Sequence, residues 1–106
     1  MDAFELSDVE AARAAAGRLY EEFLRVDSMS AGLYVLDAGA TDPQSPHAQD
    51  EIYYVVAGRA EIEVAGESRP VQPGSVVFVA KDVEHRFHSI AERLELLVLF
   101  APAETS

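Results

Sequence analysis

The sequence predicts an all-β protein, an antiparallel sandwich or small barrel preceded by one short α-helix. Two patterns carry that prediction. From Ser28 to Phe100 the chain divides into short β-branched and aromatic segments separated by clusters of Gly, Pro, Asp and Ser. Helix signals, by contrast, are confined to the residues before Gly17. The length of 106 residues sets the scale, since a chain of this size buries roughly 65% of its unfolded surface and builds one modest core. The organisation expected is therefore a single domain, with residues 1–27 as helix and edge segment and 28–102 as the barrel.

The helix is signalled by Ser7 followed three residues later by Glu10, a capping box, with Asp8 where the helix dipole favours an anion and an Ala-rich run to Ala16. Gly17 suits a left-handed C-cap, although Val9, Ala12, Ala16, Leu19, Tyr20 and Phe23 would also continue a helical stripe to Leu24. We take the stop at Gly17, with residues 20–26 entering the sheet as an edge segment. Ala31 to Asp37 reads as a strand, Gly39 to Pro46 as a loop, and Glu51 to Ala57 as the next strand. Gly58-Arg59 is expected to make a tight connection into Ala60 to Ala65, where Glu61 and Glu63 alternate with Ile62 and Val64. After a turn at Gly66-Glu67 come a short strand from Ser68 to Val71, a turn at Gln72-Pro73-Gly74, and an apolar run from Val76 to Val79 that reads as a buried strand. His85 to Ile90 and Leu94 to Phe100 flank a polar corner at Ala91-Glu92-Arg93, and a polar tail follows from Pro102. The Leu94–Phe100 run is more apolar than a half-exposed strand needs, which calls for a cover of helix or second subunit.

Composition excludes several classes of function. Eight basic against nineteen acidic residues give a formal charge of −11, and such a field repels nucleic acid and anionic lipid within roughly 8 Å at physiological salt. The hydrophobic fraction of 49% is that of a globular protein, and no segment is long enough to span a bilayer. With no cysteine, there is neither a disulfide framework nor a thiolate site, so any metal is held by nitrogen and oxygen. The acidic start MDAFELSDVE lacks the features of a signal peptide, and the compartment expected is the cytoplasm.

The stretch His47 to Gly58, HAQDEIYYVVAG, carries the chemistry. Glu51, Tyr53 and Val55 share one side of an extended segment and Ile52, Tyr54 and Val56 the other. Four extended residues would separate His47 from Glu51 by roughly 13 Å, too far to share an ion. The backbone must fold back between them, at Pro46 or across Ala48-Gln49-Asp50.

At this point the chain resembles the cupins, small double-sheet jelly rolls built as double-stranded β-helices. His47, three residues, Glu51, six residues and Gly58 fit the second half of the first cupin motif. Gly74 and His85 occupy the spaced Gly and His of the second, in GSVVFVAKDVEHRFHS. The first His of the usual pair is missing, its place taken by Ser45 or Gln44, and Ala80, Asp82 and Ser89 stand where Pro, Gly and Asn are usual.

The resemblance implies that His47, Glu51 and His85 converge in the barrel mouth as ligands of a mononuclear divalent metal, Fe2+, Mn2+, Zn2+ or Ni2+. Two imidazoles and a carboxylate leave open positions on such an ion, and Gln44 would complete the sphere or hold a bound water. The alternative is a decayed site of ordinary hydrogen-bonded barrel residues. Tyr53 shares a face with Glu51, and Phe87 with His85, so both are expected to point inward as core or as walls of a substrate pocket. His88 should face away. The functions implied are a metal-dependent enzyme of dioxygenase or isomerase type on a small organic molecule, a non-catalytic small-ligand or metal-binding module, or a structural domain. By analogy with the family, a homodimer is expected.

Overall fold

The computed structural model describes residues 1–43 and 46–105. Among these are one helix, α1 (Leu6–Ala16), and six strands: β1 (Tyr20–Val26), β2 (Met29–Leu36), β3 (Asp50–Val64), β4 (Glu67–Val71), β5 (Val76–Val79) and β6 (His85–Ala101). Strand order is β1-β2-β6-β3-β4, with β5 pairing β3 as well, and every ladder is antiparallel. The two long strands build both layers. The first part of β3 lies between β5 and the second part of β6, which carries β2 and then β1. The second part of β3 lies between β4 and the first part of β6. Tyr34, Leu36, Tyr53, Val55, Leu96 and Val98 of one layer share a core with Ile62, Val71, Phe87 and Ile90 of the other. This is the double-stranded β-helix expected.

Two expected turns are bends inside continuous strands. Gly58-Arg59 does not end a strand: β3 runs through it, and the inward parity changes from Glu51, Tyr53 and Val55 to Gly58, Ala60 and Ile62. One extra residue in a ladder produces that switch, since side chains alternate with period two. The register of β3 against β6 shifts at Val55/Ala57, Ala57/Arg59 and Arg59/Glu61. Glycine is required there because φ is 93° and a Cβ would stand 2.2 Å from the Arg93 carbonyl oxygen. The Ala91-Glu92-Arg93 corner is likewise exposed but still strand, with Glu92 opposite Arg59. Ser89, at φ 52°, shifts the inward set from His85 and Phe87 to Ile90, Leu94 and Leu96. Polar composition had signalled an exposed corner, but ladder pairing, not composition, decides whether a strand ends.

The helix ends at Gly17 as expected, with φ 69° and its N–H bonded to the carbonyls of Arg13 and Ala14. Its start differs. Glu5 is the N-cap and no side chain caps it, so Ser7 lies within the first turn and the capping box does not form. Val9 packs on Leu33 and Val35 of β2, with Phe23 and Leu97 alongside. The helix thus covers the outer face of the β2–β6 ladder, which accounts for the apolar Leu94–Phe100 run. Tyr20–Val26 is the edge strand expected, pairing with β2.

The Val76–Val79 strand is not buried: Val76 and Phe78 are 64% and 60% exposed, and Val79 alone is buried. As an edge strand on β3 it turns one side outward, where a periodicity reading of a purely apolar run has no polar residue to mark the outer face. The residues after Pro102 are not a loose tail either. Ala103 is buried and donates its N–H to the Asp27 carbonyl, at 3.3 Å.

Candidate metal centre and adjoining cavity

The three candidate ligands are positioned by two loops tied to each other. A bend at Ala48-Gln49 precedes β3, so the fold-back required between His47 and Glu51 is present. The His47 carbonyl accepts the Asp82 N–H at 2.7 Å, and the Asp50 carboxylate accepts the Lys81 N–H at 2.9 Å. The loop entering Glu51 is thereby fixed to the loop entering His85. Asp82 has φ 64° and Ser89 φ 52°. Two of the departures from the second motif thus stand at left-handed positions, and Asp, for one, tolerates that conformation in place of Gly.

Glu51 is the first inward residue of β3 and His85 the first of β6. One ligand atom from each of His47, Glu51 and His85 falls in a group within 4.8 Å of one another. His85 Nε2 stands 3.0 Å from Glu51 Oε1 and 3.0 Å from the Tyr53 hydroxyl. Its Nδ1 lies 2.9 Å from the Val83 carbonyl oxygen, which can only accept. Nδ1 therefore carries a proton, and in the neutral ring Nε2 presents its lone pair to the site. Burial pulls the His85 pKa down, but the Glu51 hydrogen bond, the Val83 carbonyl and the charges of Glu51 and Asp42 outweigh it and leave the pKa raised. An ion bound at Nε2 would compete with that proton.

The residues fit a divalent metal. Ligands on one ion at about 2.1 Å stand about 3.0–3.4 Å apart, so the group needs only small adjustments. Glu51, 2% exposed, keeps Oε2 buried with no hydrogen-bond partner among the described residues. A buried carboxylate oxygen left so is costly unless a cation or water meets it. Two imidazoles and a carboxylate are the donor types that first-row ions accept.

Beside the group lies a cavity of about 110 Å³ lined by Tyr20, Tyr34, His47, Val98, Phe100 and Glu104. Its walls are mostly aromatic, and the buried Tyr20 hydroxyl has no hydrogen-bond partner among the described residues. Burial, and then the charge of Glu104, pushes the Tyr20 pKa upward, so the phenol is a neutral donor. Tyr34 is held differently: its hydroxyl donates to Asp42 Oδ1, while Asp42 Oδ2 accepts the Phe87 N–H at 2.9 Å. Asp42 therefore fixes the β6 backbone two residues from His85.

Tyr53 and Phe87 both point inward, fully buried, with their rings edge to face at 4.9 Å. Tyr53 reaches His85, and Phe87 packs behind it. Neither lines the cavity described above. Gln44 and Ser45 lie outside the described residues. His88 stands away from the group, 3.0 Å from Ser68 Oγ. The sequence reading missed Asp42, Tyr20, Tyr34 and Glu104. Asp42 sat in a loop of turn-forming residues and Glu104 in an apparent tail, and no local pattern distinguishes a long-range hydrogen bond from a solvated carboxylate.

The cupin domain family profile matches residues 32–100, spanning both motifs. The chain belongs to the cupin family. A relative in Streptomyces coelicolor, the uncharacterized protein SCO3923, is 55% identical over 99% of this chain and 100% of its own. Among solved structures, this cupin is similar to KdgF from Halomonas sp., at 26% identity and a TM-score of 0.71, covering 78% of this chain and 76% of that one. It is also similar to an RmlC-like cupin with a double-stranded β-helix fold from Methanocaldococcus jannaschii, at 19% identity and a TM-score of 0.71, covering 78% of each chain. That second likeness bears on the fold alone.

Proposed function

We propose that this cupin is a metal-dependent enzyme acting on a small organic molecule, with His47, Glu51 and His85 holding one divalent ion. The observation that carries this is the convergence of the three side chains within 4.8 Å, beside a Glu51 Oε2 that is buried and has no hydrogen-bond partner among the described residues. When bound, the ion would supply a Lewis acid with open positions, suited to dioxygenation or isomerisation. The chain's own residues do the rest. The adjoining cavity is far below the roughly 300–1,000 Å³ of a drug-sized pocket, so the ligand is small. Tyr20, Tyr34 and Phe100 would exclude water and stack on it, and the Tyr20 hydroxyl would donate one orienting hydrogen bond.

A second reading is a decayed site. It is favoured by His85 Nε2, which already has Glu51 and Tyr53 at 3.0 Å. Thermal unfolding with and without Fe2+, Mn2+, Ni2+ or Zn2+ separates the two, since an ion that binds only the folded state at 100 times its Kd adds about 2.7 kcal/mol of stability. Stoichiometric metal, lost in His85→Ala, is the expected result. No ion bound and no stabilisation by any of the four would leave the decayed site standing. Bound metal without turnover on any small-molecule panel would favour a binding module.

No helix among the described residues is long and apolar enough to cross a membrane, and the charge of −11 still argues against nucleic acid and anionic lipid partners. For the homodimer, the supporting feature is an uncharged strip of Ile52, Tyr54, Val76 and Phe78, exposed side by side on paired strands β3 and β5. Two copies of a strongly acidic chain need such an uncharged contact, because like-charged surfaces repel.

A further inference from the structure

The metal reading leaves one question that the cupin motifs do not answer: what holds His47, which precedes its strand and lacks the neighbouring imidazole usual in the first motif. The answer lies at the other end of the chain. Glu104 Oε2 stands 3.1 Å from His47 Nδ1. The segment bearing Glu104 is pinned on both sides. The Glu104 N–H donates to Ser30 Oγ at 2.9 Å, and Ser30 is fully buried. The Glu104 carbonyl accepts Arg25 Nη2 at 2.6 Å, and Thr105 Oγ1 accepts Gln49 Nε2 at 2.8 Å. Gln49 belongs to the bend that carries His47, so the C-terminal segment grips the ligand's own loop. The His47 ring is seated from another direction by Phe100, edge to face at 4.9 Å.

We propose, building on the metal reading above, that Glu104 is a positioning residue that fixes the tautomer and ring orientation of His47 for metal binding. A carboxylate accepts and cannot donate, so Nδ1 carries the proton and Nε2 the lone pair. His85 is treated in the same way by a different acceptor, the Val83 carbonyl at Nδ1. Both imidazoles thus have Nδ1 bonded to oxygen, the arrangement that sets ligand histidines for a cation at Nε2. Glu104 acts from outside the coordination sphere, because the ligand-type atoms gathered within 4.8 Å among the described residues come from His47, Glu51 and His85.

The test compares the full-length protein with Glu104→Ala and Glu104→Gln. Zn2+ affinity is measured by chelator competition, and the His47 tautomer by imidazole nitrogen NMR at pH 8 without metal. Glu104→Ala should weaken Zn2+ about 10–100-fold and turn His47 from one Nδ1–H tautomer into a mixture. Glu104→Gln, whose amide oxygen still accepts, should keep the tautomer and lose less affinity. An unchanged tautomer in Glu104→Ala overturns the inference, and so does Zn2+ affinity within twofold of the parent. If the parent itself binds no Zn2+, Fe2+, Mn2+ or Ni2+, the metal reading fails instead, and the tautomer comparison alone decides whether Glu104 positions His47.

Discussion

Replacing Glu95 by Gln should stabilise the protein at alkaline pH and leave it nearly unchanged at mildly acidic pH. Glu95 lies on the outer face of β6, buried, with Oε2 lacking a hydrogen-bond partner among the described residues. Burial first, then the neighbouring Glu10 carboxylate of α1, push its pKa from 4.5 up to about 7, against the pull of Arg93 and Arg13. Below pH 4.5 the carboxyl is protonated whether the chain is folded or not, and its favourable contribution is fully present. Between 4.5 and about 7 the unfolded chain releases this proton while the folded one keeps it, so stability falls as pH rises. Above about 7 both forms are ionised and the loss is complete. At about 1.4 kcal/mol per pH unit the interval amounts to about 3 kcal/mol, reduced to about 1–3 kcal/mol by solvent screening, since the neighbouring charge of Arg93, 3.6 Å from Glu95 Oε1, is half exposed. Glutamine keeps the shape and cannot ionise. Urea unfolding of both proteins from pH 4.5 to 8.5, followed by circular dichroism, should give a difference that grows by about 1–3 kcal/mol across the range. The general repulsion of an acidic chain largely cancels in the comparison. A difference independent of pH, or a Gln variant less stable at pH 8.5, would refute the burial of the Glu95 carboxyl against the acidic helix as the source of its raised pKa.

Two further outcomes follow from the backbone and the surface. Gly58→Ala combines φ 93° with a Cβ 2.2 Å from a carbonyl oxygen and should cost more than about 3 kcal/mol in urea unfolding, whereas Gly66→Ala, at φ 82° with nothing within 4 Å, should cost about 1–2 kcal/mol; equal costs would remove the bend at Gly58 as a close-packed feature. Phe78→Glu should convert a dimer to a monomer in sedimentation equilibrium without altering the fold, and a parent protein already monomeric at high concentration would sink the strip as an interface.

What was legible in the sequence was local. Gly17 announced its helix end because a left-handed cap is a single-residue property, and the Glu51-Tyr53-Val55 alternation announced an inward face because side chains on a strand alternate whatever lies around them. The spacing of His47, Glu51 and His85 was readable as well, through its likeness to the cupin motifs. The Ser7 capping box failed because the helix begins two residues earlier than its pattern implied, with no side chain spanning the cap. The continuous strands failed for a different reason: Gly58 and the Ala91–Arg93 corner carry turn-like composition, yet their partners across the ladder keep both strands intact.

By itself, then, the amino-acid order determined the all-β class, the inward faces, the acidic and thiol-free chemistry, and three ligand candidates of the right types. Only the folded chain decided that those three meet, that Asp42 braces the backbone beside His85, and that Glu104, far along the chain from His47, closes on its ring. The physical reason is that conformational preference and hydrophobic period are written into neighbouring residues. A hydrogen bond across the whole chain length depends on how every intervening strand bends and pairs, and no window of sequence contains it.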